Sequence, residues 1–177
     1  TLRPDRFRRI TRCGELDDVL TGLAAAREAG LTPIKLNTVV VRGVNDDEVV
    51  DFARQTVREG WHVRFIELMP IGGGGAVNQA WQDQVVPTAE IRQRIEAALD
   101  QLQPAKVLPG GGPARYYRLP QAAGSVGFIS PVTNHFCAQC NRLRLTADGH
   151  LRPCLLADEE IDLRGPLRAG ADQAQIK

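Results

Sequence analysis

The chain has 177 residues, 22 Lys and Arg against 21 Asp and Glu for a net charge of +1, and 43% hydrophobic residues, the balance of an ordinary globular protein of one domain or two small ones. Near-neutrality excludes the broad basic footprint of a nucleic-acid-binding domain, and no apolar run of about 18 residues or signal-peptide pattern points to a membrane or to secretion. Four cysteines, three of them clustered, fit a reducing, cytoplasmic setting with a metal site better than a disulfide framework.

Thr1-Leu2-Arg3-Pro4 has no initiator methionine and reads as the inside of a longer chain. Residues 15–29, ELDDVLTGLAAAREA, set Leu16, Val19, Leu20 and Leu23 on one stripe, with Gly30 placed to end an amphipathic helix. Cys13, alone before it, reads as a small packing residue. Thr32-Pro33 breaks the chain, and residues 34–41, IKLNTVVV, predict a strand. Its Lys35 shares a face with Asn37 and fits either a solvated sheet edge or a polar site. Asn45 is placed to cap a helix with acidic residues at 46–48 and an inward stripe of Val49, Val50, Phe52, Ala53 and Val57, ending at Gly60. The next strand is HVRFIELM, residues 62–69, closed by Pro70. In it Arg64 and Glu67 read as a sheet salt bridge, and Met69, the only methionine, as core packing.

Helix, strand, helix, strand at this spacing is the parallel α/β pattern. Two parallel strands cannot cover two helices, so residues 1–70 are expected to form the C-terminal part of an incomplete (β/α) sheet or barrel with its other strands upstream. Ligands in such folds gather at strand C-terminal ends, here Val41 and Met69. Composition changes at Ile71, where Gly72 to Gly75 reads as a linker and divides the chain into 1–70 and 71–177. Thr88 is placed to cap a helix with Ile91, Ile95, Ala98, Leu99 and Leu102 inward. Residues 114–119 and 125–130 predict short antiparallel strands, so this second part reads as mixed α+β. Residues 158–160 read as a solvated acidic loop, and Asp172 as the start of a helix.

Residues 134–155, NHFCAQCNRLRLTADGHLRPCL, carry the chemistry, spaced Cys137-x2-Cys140-x13-Cys154. Three thiolates this close are too many for one disulfide and point to a metal or cluster. Asp148-Gly149 predicts a two-residue hairpin turn pairing Ala147 with His150 and Leu143 with Cys154, which brings Cys154 within roughly 10 Å of Cys140 and keeps His150 out at the tip. Cys140, Arg142 and Arg144 then share one face. Three protein ligands leave a position for water or substrate, and the adjacent guanidiniums favour an anionic ligand. An open iron-sulfur or metal site, a structural zinc using His135 or His150, and a redox thiol set are the readings these residues allow.

Five stretches, KLNTVVVRGVNDDE, VRFIELMPIG, PGGGPARYYRLP, GFISPVTNHFC and CNRLRLTADGHLRPCL, resemble in that order the C-terminal half of the GTP 3',8-cyclase family, radical-SAM enzymes (lyases) of molybdenum cofactor biosynthesis, and span nearly the whole chain. The resemblance implies an incomplete radical-SAM (β/α) barrel in 1–70, then a mixed α+β cluster-binding region in 71–177. It implies a 4Fe-4S cluster on Cys137, Cys140 and Cys154 with one iron open to guanine. It places GTP binding at Lys35, Arg64, Arg142, Leu143 and Arg144, and a contact with S-adenosylmethionine at Met69. In the family a second 4Fe-4S cluster, on an N-terminal Cys-x3-Cys-x2-Cys loop, cleaves S-adenosylmethionine. The radical takes the ribose 3' hydrogen and the carbon radical attacks C8, giving (8S)-3',8-cyclo-7,8-dihydroguanosine 5'-triphosphate, which passes to cyclic pyranopterin monophosphate synthase. That loop is not in these 177 residues, so the chain alone is expected to hold substrate without starting the chemistry. GTP and the downstream synthase are the implied partners, with a homodimer compatible and neither nucleic acid nor membrane expected. A zinc-stabilised module binding nucleic acid or protein is the competing reading.

Overall fold

A computed structural model of the chain describes residues 1–71, 79–106, 112–172 and 174. The glycine run 72–75, residues 110 and 111 of a second glycine run at 110–112, and the end of the tail lie outside them. The described chain forms two units, one of Thr1–Met69 with Asn78–Phe136, the other of Pro70–Val77 with Cys137–Lys177.

The first unit opens with helix α1, Pro4–Thr11, which the sequence reading did not anticipate although Pro4 occupies the first helical turn, where its missing N–H costs nothing. Its Arg6 reaches Asp47 (2.6 Å) and the buried Glu48, holding α1 against the turn before the third helix. Helix α2, Leu16–Glu28, follows as expected. Leu16 is buried and Leu23 packs on the core, but Val19 and Leu20 stay exposed. They line an open groove beside β1, Lys35–Val40, which is the edge strand of the sheet. Cys13 is exposed rather than packed.

Helix α3, Val49–Arg58, follows a 3-10 turn at Asp46–Glu48. Asn45 does not cap it. Its amide closes the end of β1 instead, accepting from Val41 N–H (2.8 Å) and donating to the Val39 carbonyl (2.9 Å). Val49, Phe52 and Ala53 are buried as expected, while Val57 is exposed and Thr56 takes the inward place. Strand β2, His62–Glu67, leads through the loop to helix α4, Thr88–Ala98, whose Ile91 and Ile95 are fully buried. Strands β3, Gln103–Pro104, β4, Arg115–Arg118, and β5, Ser125–Ile129, complete a five-stranded sheet in the order β1-β2-β5-β4-β3.

The sheet is mixed. β1, β2 and β5 run parallel, and β5, β4 and β3 are antiparallel. β5, which follows residue 70, thus lies directly against β2, which precedes it. α3 and α4 pack on one face, where Phe52, Ala53, Ile91 and Ile95 meet Val63, Phe65, Val126 and Phe128. Phe65 stands at the centre, edge-on to Phe52 and stacked with Phe128.

The second unit holds a three-stranded antiparallel sheet of β6, Arg144–Leu145, β7, His150–Arg152, and β8, Ile161–Asp162, followed by a short helix α5, Arg164–Arg168. None of its described residues is buried. No helix among the described residues is long and apolar enough to cross a membrane.

Candidate functional site

The hairpin of the second unit forms at Asp148-Gly149, but with three loop residues rather than two. β6 and β7 pair Arg144 with Arg152 and Leu145 with Leu151. Thr146 N–H donates to the His150 carbonyl (2.9 Å), and Gly149 N–H to the Thr146 carbonyl (3.1 Å). Gly149 has φ +87°, the left-handed conformation that ends a three-residue loop. The expected pairing of Leu143 with Cys154 is therefore wrong by one residue. Counted on at the observed register, Cys154 falls opposite Arg142. The strand pairing itself ends at Arg144 and Arg152, so Cys140, Arg142 and Cys154 lie outside it.

Cys137–Gln139 is one 3-10 turn, and Cys140 N–H closes it on the Cys137 carbonyl (3.1 Å). Cys137, Cys140 and Cys154 are all free and exposed, and Cys154 Sγ accepts the Leu156 N–H (3.4 Å). Among the described residues no group of three His, Cys, Asp or Glu side chains is gathered closely enough to hold a metal ion. The thiols thus lie on one turn and one hairpin arm without converging. As a donor set they suit iron or zinc: three reduced sulfurs with no disulfide. Of the histidines considered as a fourth ligand, His135 is exposed and His150 has Nδ1 3.3 Å from Asp148 at the hairpin.

Arg144 and Arg152 stand directly opposite each other, an arrangement that costs free energy unless countercharge is near. Glu160 supplies it to Arg152 at 2.8 Å. The Arg144 guanidinium makes no hydrogen bond or ion pair among the described residues. Leu143, just before β6, is exposed.

The first unit has its own cationic face, opposite α3 and α4. Across the strands one row aligns Lys35, His62 and Ser125, and the next aligns Asn37, Arg64, Gly127 and Tyr116. Lys35 and Arg64 therefore share a face, one row apart, and Lys35 is also the half-buried first residue of the edge strand. His62 donates to or accepts from Ser125 (2.8 Å). Burial first, then the charges of Arg118 and Lys35, push its pKa down, which places those cations around it. Arg64 is half-buried, and its Nε is buried without a hydrogen-bond partner.

Arg64 and Glu67 do not form the expected salt bridge. Their parity sends them to opposite faces, and Glu67 is fully buried with a different task. It accepts from the backbone N–H groups of Thr88 (3.1 Å), Val132 (3.0 Å) and Thr133 (2.9 Å), and from the Thr133 hydroxyl. The carboxylate caps α4 in place of Thr88, whose hydroxyl meets Ser130 (2.6 Å). Met69 is half-buried just beyond β2. His62, Ser125, Tyr116 and Gly127 were not singled out from the sequence. Period two in HVRFIELM already puts His62 beside Arg64, but the other two strands of the row could be known only from the register.

Residues 61–177 match the family described as Molybdenum Cofactor Synthesis C. The chain is 54% identical over 176 residues to the GTP 3',8-cyclase of Moorella thermoacetica, which covers 99% of this chain and 53% of that protein. It is 55% identical over 171 residues to the GTP 3',8-cyclase of Heliobacterium modesticaldum, covering 97% of this chain and 51% of the relative. The chain spans about half the length of the curated relatives it matches.

Proposed function

Because the chain belongs to the Molybdenum Cofactor Synthesis C family, we propose that it is the substrate-holding part of a GTP 3',8-cyclase. Three free thiols, Cys137, Cys140 and Cys154, on the turn and hairpin segment that also carries Arg142 and Arg144, are the observation that carries the reading. In it, residues 1–70 are the closing portion of a radical-SAM barrel and 71–177 the cluster-binding region. The parallel pair β1 and β2, joined through α3, supports the first part.

Cys137, Cys140 and Cys154 hold a 4Fe-4S cluster, which when bound supplies an open iron site for guanine. Arg142 and Arg144 present planar, permanently charged donors to the acceptor groups of GTP, with Leu143 between them. Lys35 and Arg64 bind the triphosphate, and the unsatisfied Nε of Arg64 supports this, since a buried donor without an acceptor is costly to keep for packing alone. Met69 contacts S-adenosylmethionine, whose cleavage belongs to a further 4Fe-4S cluster on an N-terminal loop. In the cytoplasm the product goes on to cyclic pyranopterin monophosphate synthase.

Anaerobic reconstitution with iron and sulfide, followed by metal analysis and titration with GTP, tests this. About four irons per chain are expected, with an absorption spectrum that GTP perturbs, loss of the iron in Cys137→Ser, and about tenfold or weaker GTP binding in Arg144→Ala. A colourless protein with one tight zinc and no response to GTP would replace the reading by a zinc-stabilised binding module.

A further inference from the structure

In the row of Asn37, Arg64, Gly127 and Tyr116, the residue without a side chain lies between the two largest. β5 sets Gly127 against Arg64 on one side and against Tyr116 on the other. A Cβ placed on Gly127 would be 3.0 Å from Arg64 Cγ and 3.1 Å from Tyr116 Cε1. The backbone of Gly127 is not in the left-handed region that demands glycine. Glycine inside a strand gives up packing and backbone entropy, so what it provides at Gly127 is space. The stem of Arg64 and the ring edge of Tyr116 fill that space.

The same arginine carries a buried Nε for which no described residue supplies an acceptor. Other arginines of this unit with guanidiniums fixed in place, such as Arg6, Arg42 and Arg94, are fixed by carboxylates. Arg64 is instead fixed through its aliphatic stem, which leaves its hydrogen-bonding edge uncommitted.

We propose that Gly127 is a positioning residue: by leaving room for the Arg64 stem against Tyr116, it aims the Arg64 guanidinium at an anionic, phosphate-bearing ligand. The inference rests on the reading of Arg64 as a ligand for the GTP triphosphate. A side chain at this position turns the stem to another rotamer and moves the charged head off its target while leaving charge and composition of the face unchanged.

The test is anaerobic titration of the reconstituted chain with GTP and, separately, with guanosine, which lacks the triphosphate. Arg64→Ala should weaken GTP about tenfold and Gly127→Ala about fivefold, the size of an off-rotamer side chain, with guanosine affinity unchanged in both. Gly127→Ala should cause no further loss when Arg64 is already alanine. Tyr116→Leu, which removes the ring edge on the other side of the space, gives a second arm should Gly127→Ala not fold: GTP weakens only while Arg64 is present. Unchanged GTP affinity in Arg64→Ala overturns the Arg64 reading beneath the proposal. A clear loss in Arg64→Ala with parental affinity in Gly127→Ala, or with the same further loss of about fivefold when Gly127→Ala is added to Arg64→Ala, overturns the positioning role alone.

Discussion

The two units are built on opposite terms. The first contains every buried hydrophobic residue of the described chain, from Leu16 to Phe128, and organises them around Phe65. The second contains none, and Leu145 and Ile161 of its short strands are exposed, as is Leu143 just before them. Burial of about 25 cal/mol per Å² of apolar surface is the main force available to a fold this size, and the second unit makes little use of it. What it has instead is three free thiols and a loop closed by hydrogen bonds around Thr146 and Gly149. A core can hold a sheet face in place before any ligand arrives. A region without one is the kind whose stability comes from the ligand it binds.

The sharpest way to break this contrast is a pair of truncations. Phe65→Ala removes a fully buried ring that touches Phe52 and Phe128 and should cost about 3–5 kcal/mol. Leu145→Ala removes a side chain that is 69% exposed and should change stability by no more than about 0.5 kcal/mol. Denaturant unfolding followed by tryptophan fluorescence reports on the first unit through buried Trp61, and thiol reactivity of the three clustered cysteines reports on the second. Equal costs for the two variants would mean that Leu145 is covered in solution and that the contrast is wrong.

A smaller effect comes from the polar side of the first unit. Glu67 uses one oxygen for Thr88 N–H and the Thr133 hydroxyl, and the other for the N–H groups of Val132 and Thr133. In Glu67→Gln the amide nitrogen does least harm on the first side, where the hydroxyl can turn and accept. Even so, Thr88 N–H is left facing a donor, a loss of about 2 kcal/mol for a buried unsatisfied group. The urea midpoint checks it. An unchanged midpoint would show that this network adds nothing to the stability given by the core.

These cases also show what could be read from the sequence. Helices α2, α3 and α4 and strands β1, β2, β4 and β5 follow from local period and punctuation, because each is set by residues within a few places of one another. The cysteine spacing was readable for the same reason. The hairpin register was missed by one residue because Asp148-Gly149 serves a two-residue or a three-residue loop equally, and what separates them is the φ of Asp148, which the two-residue turn needs positive and which here is not. Glu67 was misread because its partners lie 21, 65 and 66 positions away. The cationic face was out of reach in the same way, since it depends on which strand lies beside β2, and β5 comes about sixty residues later.

The smallest expected effect separates the buried polar row from the core around it. His62 is buried against Ser125 with Lys35 and Arg118 near, and its pKa is lowered from 6.5, by burial first and by the two cations after it. Below that ordinary value the unfolded chain takes up a proton that the folded one still refuses. Stability contributed by neutral His62 is therefore complete above pH about 6.5 and falls as the pH drops below it. Carboxylates held low by arginines, such as Glu90 beside Arg42, lose their contribution only at more acidic pH. The Thr1 amine, held low by burial, adds a decline of its own below its ordinary value of 8.0, so between pH 7 and about 5.5 it is the difference between parent and variant that isolates the imidazole. Denaturant midpoints should decline across that window in the parent and less steeply in His62→Asn, which keeps a polar partner for Ser125 but does not titrate. Equal slopes would assign the decline to other groups and leave the first unit's stability to its apolar face.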